Sequence, residues 1–253
     1  MISGKGTIER LSFKGGQEHD ELQNETIRLH LERYHFAAGT VAGIRVLDLA
    51  CGVGYGSAHL AEAGAREVVG VDIAPEAIEE ARGSYGRDNV HFICSAYQDL
   101  AAAAGGDGLE TKLLAEPFDQ IVSLETIEHL PSPQDFLATI LPLLKPGGIF
   151  VGSVPVTPSM DANPYHLHDF TPGSFHKLLE NAGLVIEESF QQRQPYNPFV
   201  VKKQMGKERK GLRSNLGAYY LSHPNKLALR FYASCRYGFV NIYEAARARK
   251  PQK

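Results

Sequence analysis

Short apolar runs alternate with longer amphipathic stretches along most of the chain. Each run spans five to seven residues bounded by glycine, proline or charged residues, which is typical of buried strands. The predicted strands are Arg45–Leu49, Glu67–Asp72, Val90–Cys94, Phe118–Leu124, Ile149–Val154 and Leu184–Phe190. Strands that alternate with helices predict parallel βαβ units. We therefore expect an α/β fold, a doubly wound Rossmann-like sheet with helices on both faces.

Apolar residues at helical spacing, and prolines at first-turn positions, indicate the helices. An amphipathic helix is predicted over Glu18–Ala38, ahead of the first strand. The other predicted helices are 56–63, one that begins at Pro75, two pieces within 101–116, one that follows Ser132 and ends near Leu144, and 171–181. Residues 145–148, Lys-Pro-Gly-Gly, predict a tight turn into the fifth strand.

Residues 224–249 predict a further helix with one apolar face. That face carries Leu227, Phe231, Cys235, Phe239, Ile242, Tyr243 and Ala246. Such a face favours docking on its own domain or on a second copy over contact with a membrane surface. The chain then divides into an N-terminal helical cap (1–40), a main domain (41–203) and a basic C-terminal extension (204–253).

Composition narrows the class of protein further. A chain of 253 residues with 43% hydrophobic and 22% charged residues can bury one substantial core. There is no apolar run of 18 residues and no signal-peptide pattern, so we expect a cytoplasmic protein without a membrane span. Three scattered cysteines (Cys51, Cys94 and Cys235) indicate reduced thiols and argue against a disulfide or zinc framework.

The net charge of −3 conceals a strongly basic C-terminal region. From Tyr196 onward there are 13 Lys or Arg residues and two acids, whereas the preceding part has 13 basic and 27 acidic residues. Such a region suggests a phosphate-bearing partner: a nucleotide sugar, a lipid diphosphate, a membrane surface or nucleic acid. The alternative is a solvated face that neutralises the acidic body.

The most specific pattern is a glycine-dense turn between two predicted strands. Residues 46–56, Val-Leu-Asp-Leu-Ala-Cys-Gly-Val-Gly-Tyr-Gly, lead from the first strand into a helix, and the second strand ends at Asp72. Glycines let the backbone approach a ligand closely, and the free N–H groups of the helix can hold an anionic end. An acid about 20 residues beyond is placed to accept hydrogen bonds from ribose hydroxyls. The turn predicts a nucleoside site.

The acid-x-Ala-x-Gly-x-Gly string that begins at Asp48 resembles motif I of class I S-adenosylmethionine-dependent methyltransferases. Ala50 replaces the first glycine of that motif. The resemblance continues in order through Asp72, Ser95-Ala96, Phe118-Asp119 and residues 144–148, and covers about residues 30–195. It implies a mostly parallel sheet with a seventh, antiparallel strand, which we place at Tyr196–Lys203. It also implies S-adenosylmethionine as cofactor.

The same resemblance implies roles for individual residues. Asp48, Ala50, Gly52 and Gly54 lie along the methionine end of the cofactor, and Asp72 binds its ribose. Ile73 packs against the adenine, and Ser95 and Ala96 contact the adenine end of the cofactor. Many relatives carry an acid at the position of Ser95. Glu125 completes the cofactor contacts.

A second group of polar residues follows the fourth strand, where ligands of open α/β sheets bind. If the segment turns helically, Glu125, Glu128 and His129 share one side. His129 can then be the general base that takes a hydroxyl proton. Alternatively, the three residues chelate a divalent ion such as Mg²⁺.

The Glu-x-x-Glu-His string resembles that of metal-dependent small-RNA 2′-O-methyltransferases and of ubiquinone-pathway O-methyltransferases. The resemblance implies a further histidine, for which His166 and His168 are the candidates. His166 joins the three residues both as a catalytic candidate and as a candidate metal ligand. Both histidines lie in a predicted loop, and a purely structural role is the remaining alternative.

A third group, Glu32-Arg33-Tyr34-His35-Phe36-Ala37, resembles methyltransferases encoded beside bacterial glycosyltransferases. That resemblance implies that Tyr34 covers the cofactor and that Arg33 meets its carboxylate. The alternative is a helix that packs on the sheet edge.

Together with the basic region, the likeness favours O-methylation of a sugar hydroxyl on a nucleotide-linked or lipid-linked glycan precursor, as in polysaccharide biosynthesis. The alternatives are O-methylation of a phenolic or quinone small molecule, and a non-catalytic S-adenosylmethionine-binding partner subunit. A homodimer is compatible with all three. Residues 163–165, Asn-Pro-Tyr, follow the fifth strand and lack the second proline of amino-methylating DNA enzymes, which argues against DNA as substrate.

Overall fold

The computed structural model describes residues 21–100, 108–196, 213 and 215–252. The strands are β1 Arg45–Leu49, β2 Glu67–Asp72, β3 Val90–Cys94, β4 Phe118–Leu124, β5 Leu144–Pro155, β6 Val185–Pro195 and β7 Val240–Arg249. The helices are α1 Glu21–Ala38, α2 Tyr55–Glu62, α3 Pro75–Tyr85, α4 Leu109–Leu114, α5 Pro133–Ile140, α6 Pro172–Asn181, α7 Leu216–Ser222 and α8 Pro224–Tyr237. Short 3₁₀ turns cover Tyr97–Asp99, Ile127–His129 and Leu141–Leu143.

All seven strands form one sheet in the order β3-β2-β1-β4-β5-β7-β6. The five strands β1 to β5 pair in parallel, and β7 lies antiparallel between β5 and β6. The sheet therefore confirms the predicted doubly wound, mostly parallel architecture. The strand order reverses direction between β1 and β4, and a crevice at the carboxyl ends of these strands is where such sheets bind ligands.

Alternate residues of the strands pack against helices on opposite faces of the sheet. Val46 and Val68 contact the cluster that contains residues of α1 and α2. Their neighbours Leu47 and Val69 belong to the larger cluster, which includes residues of α4, α5 and α6. Both faces are thus buried, which explains why the parallel strands are almost continuously apolar.

The seventh strand corrects two predictions. It is formed by Val240–Arg249, so the placement at Tyr196–Lys203 was wrong; residues 197–203 lie outside the described residues. The helix predicted over 224–249 ends at Tyr237, because Gly238 adopts a φ of 81° and the chain turns into β7. Ile242 and Ala246 are buried sheet residues rather than parts of a helical face. The division of the chain at residues 40 and 203 stays a prediction, but residues 240–249 belong to the sheet.

Two smaller differences from the predictions concern the start of β5 and the end of helix α5. Residues 145–148 lie within the bounds of β5, where the Gly147 N–H donates to the Lys250 carbonyl and the Lys250 N–H donates to the Gly148 carbonyl. The pairing with β4 is irregular here, since Phe118 pairs with Leu144 and Gln120 pairs with Ile149. Helix α5 ends at Ile140 and continues as a 3₁₀ turn. Among the described residues, none of the helices combines the length and apolar character needed to cross a bilayer.

Candidate active site

Two residues in left-handed conformation lie side by side at the carboxyl ends of the two central strands. Ala50 follows β1 with a φ of 59°, and Glu125 follows β4 with a φ of 50°. They are the two non-glycine residues with positive φ among those described, and such a conformation is strained for a residue with a side chain. The strain lies at the switch point of the sheet, where the predicted residues of both motifs meet.

The three glycines of the turn serve different purposes. A Cβ atom at Gly52 would meet no atom within 4 Å, so its backbone faces open space. At Gly54 a Cβ atom would lie 2.7 Å from the ring of Phe92, and at Gly56 it would lie 1.9 Å from the ring of Tyr34. Gly52 is therefore available to a ligand, while Gly54 and Gly56 are required by the packing of aromatic rings.

Asp72 holds the turn in place through its carboxylate. Its Oδ2 atom accepts a hydrogen bond from the Gly52 N–H at 3.0 Å, and Oδ1 accepts one from the Ala74 N–H at 2.9 Å. The side chain is partly exposed at the carboxyl end of β2. The carboxylate thus lies beside the open backbone of Gly52, as a residue that contacts ribose requires.

Asp48 is buried beneath the same turn. Its carboxylate accepts hydrogen bonds from Ser57 Oγ at 2.6 Å and from the Tyr34 hydroxyl at 3.2 Å. Burial raises the pKa of Asp48 to about 7, an effect that the two hydrogen bonds partly offset. Tyr34 is also buried, at 3% exposure. The pair supports the turn from below, and the Tyr34 ring packs against Gly56 at the start of α2. Contact of Tyr34 with the cofactor stays a prediction.

The residues that are predicted to contact the adenine of the cofactor lie just after β2 and β3. Ile73 is 62% exposed, directly after Asp72. The Ser95 N–H donates to the Asp72 carbonyl at 3.1 Å, and its hydroxyl donates to the Ala96 carbonyl. An exposed isoleucine beside the end of β3 offers an apolar face of the kind that a purine ring packs against.

Arg33 is a buried cation, 3% exposed, on the inner side of α1. Its Nη1 atom donates to Gln192 Oε1 at 2.5 Å, and its guanidinium carbon lies 4.6 Å from the centre of the Tyr243 ring. Burial raises the pKa of the Glu125 carboxyl, and the nearby Arg33 guanidinium partly offsets that effect. Arg33 therefore lies near enough to the acids after β4 to influence their ionisation.

Glu125 and Glu128 do not share one side of a helix. Glu125 turns back to β5, where Ser153 Oγ donates to its Oε1 atom at 2.8 Å and accepts from its N–H at 3.2 Å. Glu128 lies in the 3₁₀ turn that follows, fully buried, and neither of its carboxylate oxygens has a hydrogen-bond partner among the described residues. Burial and the neighbouring Glu125 raise the pKa of Glu128 well above its usual range.

The structure brings Glu128, His129 and His166 together. One ligand atom from each lies within 4.8 Å of the others, and the two imidazole rings pack edge to face with centroids 4.7 Å apart. Glu125 is not part of this group, so the predicted quartet reduces to three residues. His168 points elsewhere, since its Nε2 atom contacts the Leu130 carbonyl at 2.9 Å.

A backbone carbonyl selects the tautomer of His129. Its Nδ1 atom lies 3.2 Å from the Tyr165 carbonyl oxygen, which can only accept a hydrogen bond. The proton of the neutral ring is therefore on Nδ1, and Nε2, 3.9 Å from Glu128 Oε1, carries the free lone pair. Burial lowers the pKa of His129, and it lowers that of His166 to about 4. Burial thus favours the neutral form of both rings.

The donor set tests the expectation of a metal ion. Two imidazoles and one carboxylate match the ligands that zinc and other transition metals prefer, whereas Mg²⁺ favours oxygen ligands and water. Glu128, His129 and His166 would hold such an ion, which would acidify a bound hydroxyl. The residues thus fit a transition metal better than the Mg²⁺ suggested by the sequence.

The loop that carries His166 is held by the C-terminal helices. Arg230 of α8 donates to both carboxylate oxygens of Asp161, at 2.9 and 2.5 Å, and Tyr220 of α7 donates to the same carboxylate. Lys226 Nζ donates to Asp169 at 3.0 Å, and Asp169 in turn accepts from the Ser159 N–H. These basic side chains therefore bind the protein's own loop.

Sequence reasoning missed several residues that shape the site. Ser57 supports Asp48, Ser153 holds Glu125, and Ser159 Oγ contacts His166 Nδ1 at 2.7 Å. Ser57 and Ser153 are fully buried polar residues in an apolar helix face and an apolar strand. A buried polar residue in such a context signals a hydrogen-bonded role, and that signal was present in the sequence. The contact of Ser159 depends on how the loop folds, which the sequence does not display.

The strand order, the glycine turn and the acid after β2 are those of a methyltransferase domain, and the family comparison agrees. The family model of the methyltransferase domain matches residues 20–189. The chain belongs to this family, in which S-adenosylmethionine is the methyl donor.

The individual relatives share about a third of their aligned residues with this chain. One is a "Probable S-adenosylmethionine-dependent methyltransferase" of Mycolicibacterium smegmatis, 30% identical over 173 residues, which cover 66% of this chain and 62% of the relative. Another is a ubiquinone biosynthesis O-methyltransferase of Xanthomonas axonopodis pv. citri, 32% identical over 166 residues, 58% of this chain and 65% of the relative. The match thus spans less than two thirds of either relative.

Among solved structures, the [4+2]-cyclase SpnF superposes with a TM-score of 0.58 at 18% identity, over 95% of this chain and 86% of that chain. This likeness shows the fold alone, and the fold is shared by a protein named for a different reaction.

Proposed function

We propose that the chain is an S-adenosylmethionine-dependent O-methyltransferase that acts on a hydroxyl of a phenolic or quinone-type small molecule. The observation that carries the proposal is the contact of His129 Nδ1 with the Tyr165 carbonyl at 3.2 Å, in the segment that follows β4. This contact leaves the Nε2 atom of the neutral ring as the proton acceptor. A neutral imidazole at this place can accept the proton of an acceptor hydroxyl.

The cofactor supplies a methyl group activated by a sulfonium, so the protein's main tasks are positioning and proton transfer. Gly52, Asp72 and Ile73 would hold the donor, and Arg33 is a buried cation near Glu125. When bound, the cofactor would supply this methyl group to the acceptor oxygen, with its thioether as the leaving group. His129 Nε2 takes the hydroxyl proton and returns it to water.

The relatives named as ubiquinone biosynthesis O-methyltransferases support the small-molecule acceptor over the sugar acceptor. A phenol has a pKa of about 10 and gives its proton to an imidazole more readily than the alcohol of a sugar does. The argument for a phosphate-bearing acceptor also weakens, because Lys226 and Arg230 are engaged by Asp169 and Asp161. Sugar O-methylation stays the competing proposal.

A mass-spectrometric assay with S-adenosylmethionine separates these proposals. The protein is incubated with catechols and hydroxylated quinone precursors, and in parallel with nucleotide sugars, and products are examined for the gain of one methyl group. Methylation of the phenols alone is expected. Methylation of nucleotide sugars alone would contradict the phenolic acceptor, and binding of the cofactor without any product would favour the partner-subunit alternative.

A further inference from the structure

The loop that follows β5 supplies two of the groups that surround His129. Its residues 159–169, which we call the His166 loop, carry the Tyr165 carbonyl, 3.2 Å from His129 Nδ1, and the His166 ring, whose centroid lies 4.7 Å from that of the His129 ring. Neither Tyr165 nor His166 belongs to the hydrophobic clusters of the core. Hydrogen bonds must therefore set the position of this part of the loop.

Asp169 joins the two ends of the His166 loop. Its Oδ1 atom accepts hydrogen bonds from the Ser159 N–H at 2.8 Å and from the Met160 N–H at 3.1 Å. Its Oδ2 atom accepts from Lys226 Nζ of α8 at 3.0 Å. Burial alone would raise the pKa of Asp169, but the two N–H groups and the Lys226 ammonium lower it overall. A carboxylate holds such donors more strongly than a neutral acceptor does, so Asp169 is a firm closure of the loop.

A short series of hydrogen bonds leads from Asp169 to the groups beside His129. Ser159, whose N–H donates to Asp169, also places its Oγ atom 2.7 Å from His166 Nδ1. The Ser159 carbonyl accepts from the Asn163 N–H at 2.8 Å, and Asn163 Oδ1 accepts from the Tyr165 N–H at 3.0 Å. Both the His166 ring and the Tyr165 peptide are therefore connected to Asp169 through Ser159.

We propose that Asp169 is a positioning residue of the candidate active site. By closing the His166 loop, it places the Tyr165 carbonyl at His129 Nδ1 and so selects the tautomer in which Nε2 can accept a proton. Asp169 acts through Ser159 and the loop rather than on the acceptor. The effect on catalysis rests on the proposed function, whereas the tautomer of His129 can be measured without an acceptor.

A second bond ties the His166 loop to the segment after β4. The Leu167 N–H donates to the Glu128 carbonyl at 2.8 Å. This bond fixes one point of the loop, and the closure by Asp169 fixes the ends between which that point lies. If the Leu167 bond alone positioned the Tyr165 carbonyl, removal of the Asp169 carboxylate would leave the tautomer of His129 unchanged.

Long-range ¹H–¹⁵N NMR of the histidine rings, in EDTA with saturating S-adenosylhomocysteine, tests the proposal. His129→Asn removes the signals of His129 and so identifies them. The parent should carry the ring proton on Nδ1, and Asp169→Ala should shift it toward Nε2. Asp169→Asn should keep the parent tautomer, because an amide oxygen can still accept the two N–H groups.

Asp119→Ala is the matched control. Asp119 likewise accepts from one backbone N–H, that of Arg45, and from one lysine, Lys145, but it lies at the amino end of β4, away from the His166 loop. The control should keep the proton of His129 on Nδ1. A shift in Asp119→Ala equal to that in Asp169→Ala would overturn the proposal, since it would reflect a general loss of stability.

The methylation assay adds a second readout. Asp169→Ala should lower kcat by about tenfold to a hundredfold, since a displaced loop misplaces the groups around the base, while its affinity for S-adenosylhomocysteine stays that of the parent. An equal loss of both would overturn the proposal, because it would show a purely structural role. If Asp169→Ala does not fold, Asp169→Ser takes its place, and the saturating ligand stabilises the folded state.

The NMR result separates this proposal from the proposed function. A proton on Nδ1 in the parent that Asp169→Ala leaves in place would overturn the role of Asp169 and leave the proposed function intact. A proton on Nε2 in the parent would overturn both.

Discussion

The ring of Tyr34 lies directly against the Cα atom of Gly56, so that a Cβ atom at residue 56 would be 1.9 Å from the ring carbon Cζ. This contact places α1 on the first turn of α2 and brings the Tyr34 hydroxyl to Asp48. The third glycine of the turn is thus needed for the position of an aromatic ring.

Gly56→Ala should destabilise the protein, because Tyr34 must move from a packed position. Overpacking of this kind costs about 1–3 kcal/mol in the free energy of unfolding, more than the helix propensity of alanine returns. Gly83→Ala is the control, since Gly83 lies in α3 and an added Cβ atom would meet nothing within 4 Å. It should stabilise the protein by about 0.5–1 kcal/mol. Urea unfolding measures both, and equal effects would contradict the role of Tyr34.

Asp48 should make the protein less stable as the pH rises. Burial raises the pKa of its carboxyl from 3.8 to about 7, so the folded state binds a proton that the unfolded state has released. The free energy of unfolding therefore falls between about pH 4 and pH 7, and above pH 7 the folded state bears a buried anion. The contribution is on the order of 4 kcal/mol at pH 8.

The variant Asp48→Asn isolates this contribution. Relative to the parent, its free energy of unfolding should increase from pH 5 to pH 8, as measured by urea unfolding in matched buffers. Asp88→Asn, at an exposed residue, is the control for a general effect of removing a carboxylate. A difference between Asp48→Asn and the parent that is constant with pH would show that the carboxyl is ionised throughout.

His129→Asn should lower kcat by about a hundredfold to ten-thousandfold, since the variant lacks the base while the cofactor site is intact. Calorimetry with S-adenosylhomocysteine should give the same affinity as for the parent protein. His91→Asn, on β3, is the matched control and should leave kcat unchanged. An unchanged kcat for His129→Asn at saturating acceptor would remove His129 from the mechanism.

The ion pair between Asp161 and Arg230 should couple α8 to the loop of His166. In a double-mutant cycle of Asp161→Asn and Arg230→Met, the coupling energy should be about 1–3 kcal/mol, because each single variant leaves the charge of the other residue largely buried without its ionic partner. Both single variants should lower kcat more than they change S-adenosylhomocysteine affinity. Arg236→Met, at an exposed arginine of the same helix, is the control. Additive effects on stability would show that the two residues act independently.

Chelation distinguishes the base from a metal ion at the Glu128, His129 and His166 cluster. If His129 acts as the base, activity should survive exhaustive treatment with EDTA. Loss of activity that Mn²⁺ or Zn²⁺ restores would instead assign the three residues as ligands.

The strands and the cofactor turn could be predicted from the sequence because their signals are local. Apolar runs and the string from Asp48 to Gly56 depend on neighbouring residues, and β1 to β4 matched their predicted bounds. The antiparallel strand β7 was mistaken for a helix because its apolar residues also fit a helical spacing, and only pairing with β5 and β6 over a long sequence separation decides between them. Likewise, the conformation of Glu125 and the contact of Ser159 with His166 arise from tertiary structure. For this reason the sequence predicted four candidate metal ligands, whereas the structure brings only Glu128, His129 and His166 together among the described residues.

Calorimetric titration with S-adenosylhomocysteine tests the central claim most directly, since the demethylated product occupies the donor site without turnover. The parent protein should release heat that fits one site per chain, and Asp72→Ala should bind far more weakly while remaining folded. A folded parent protein that gives no heat with either the product or S-adenosylmethionine would contradict the assignment of the turn at Gly52 as the cofactor site.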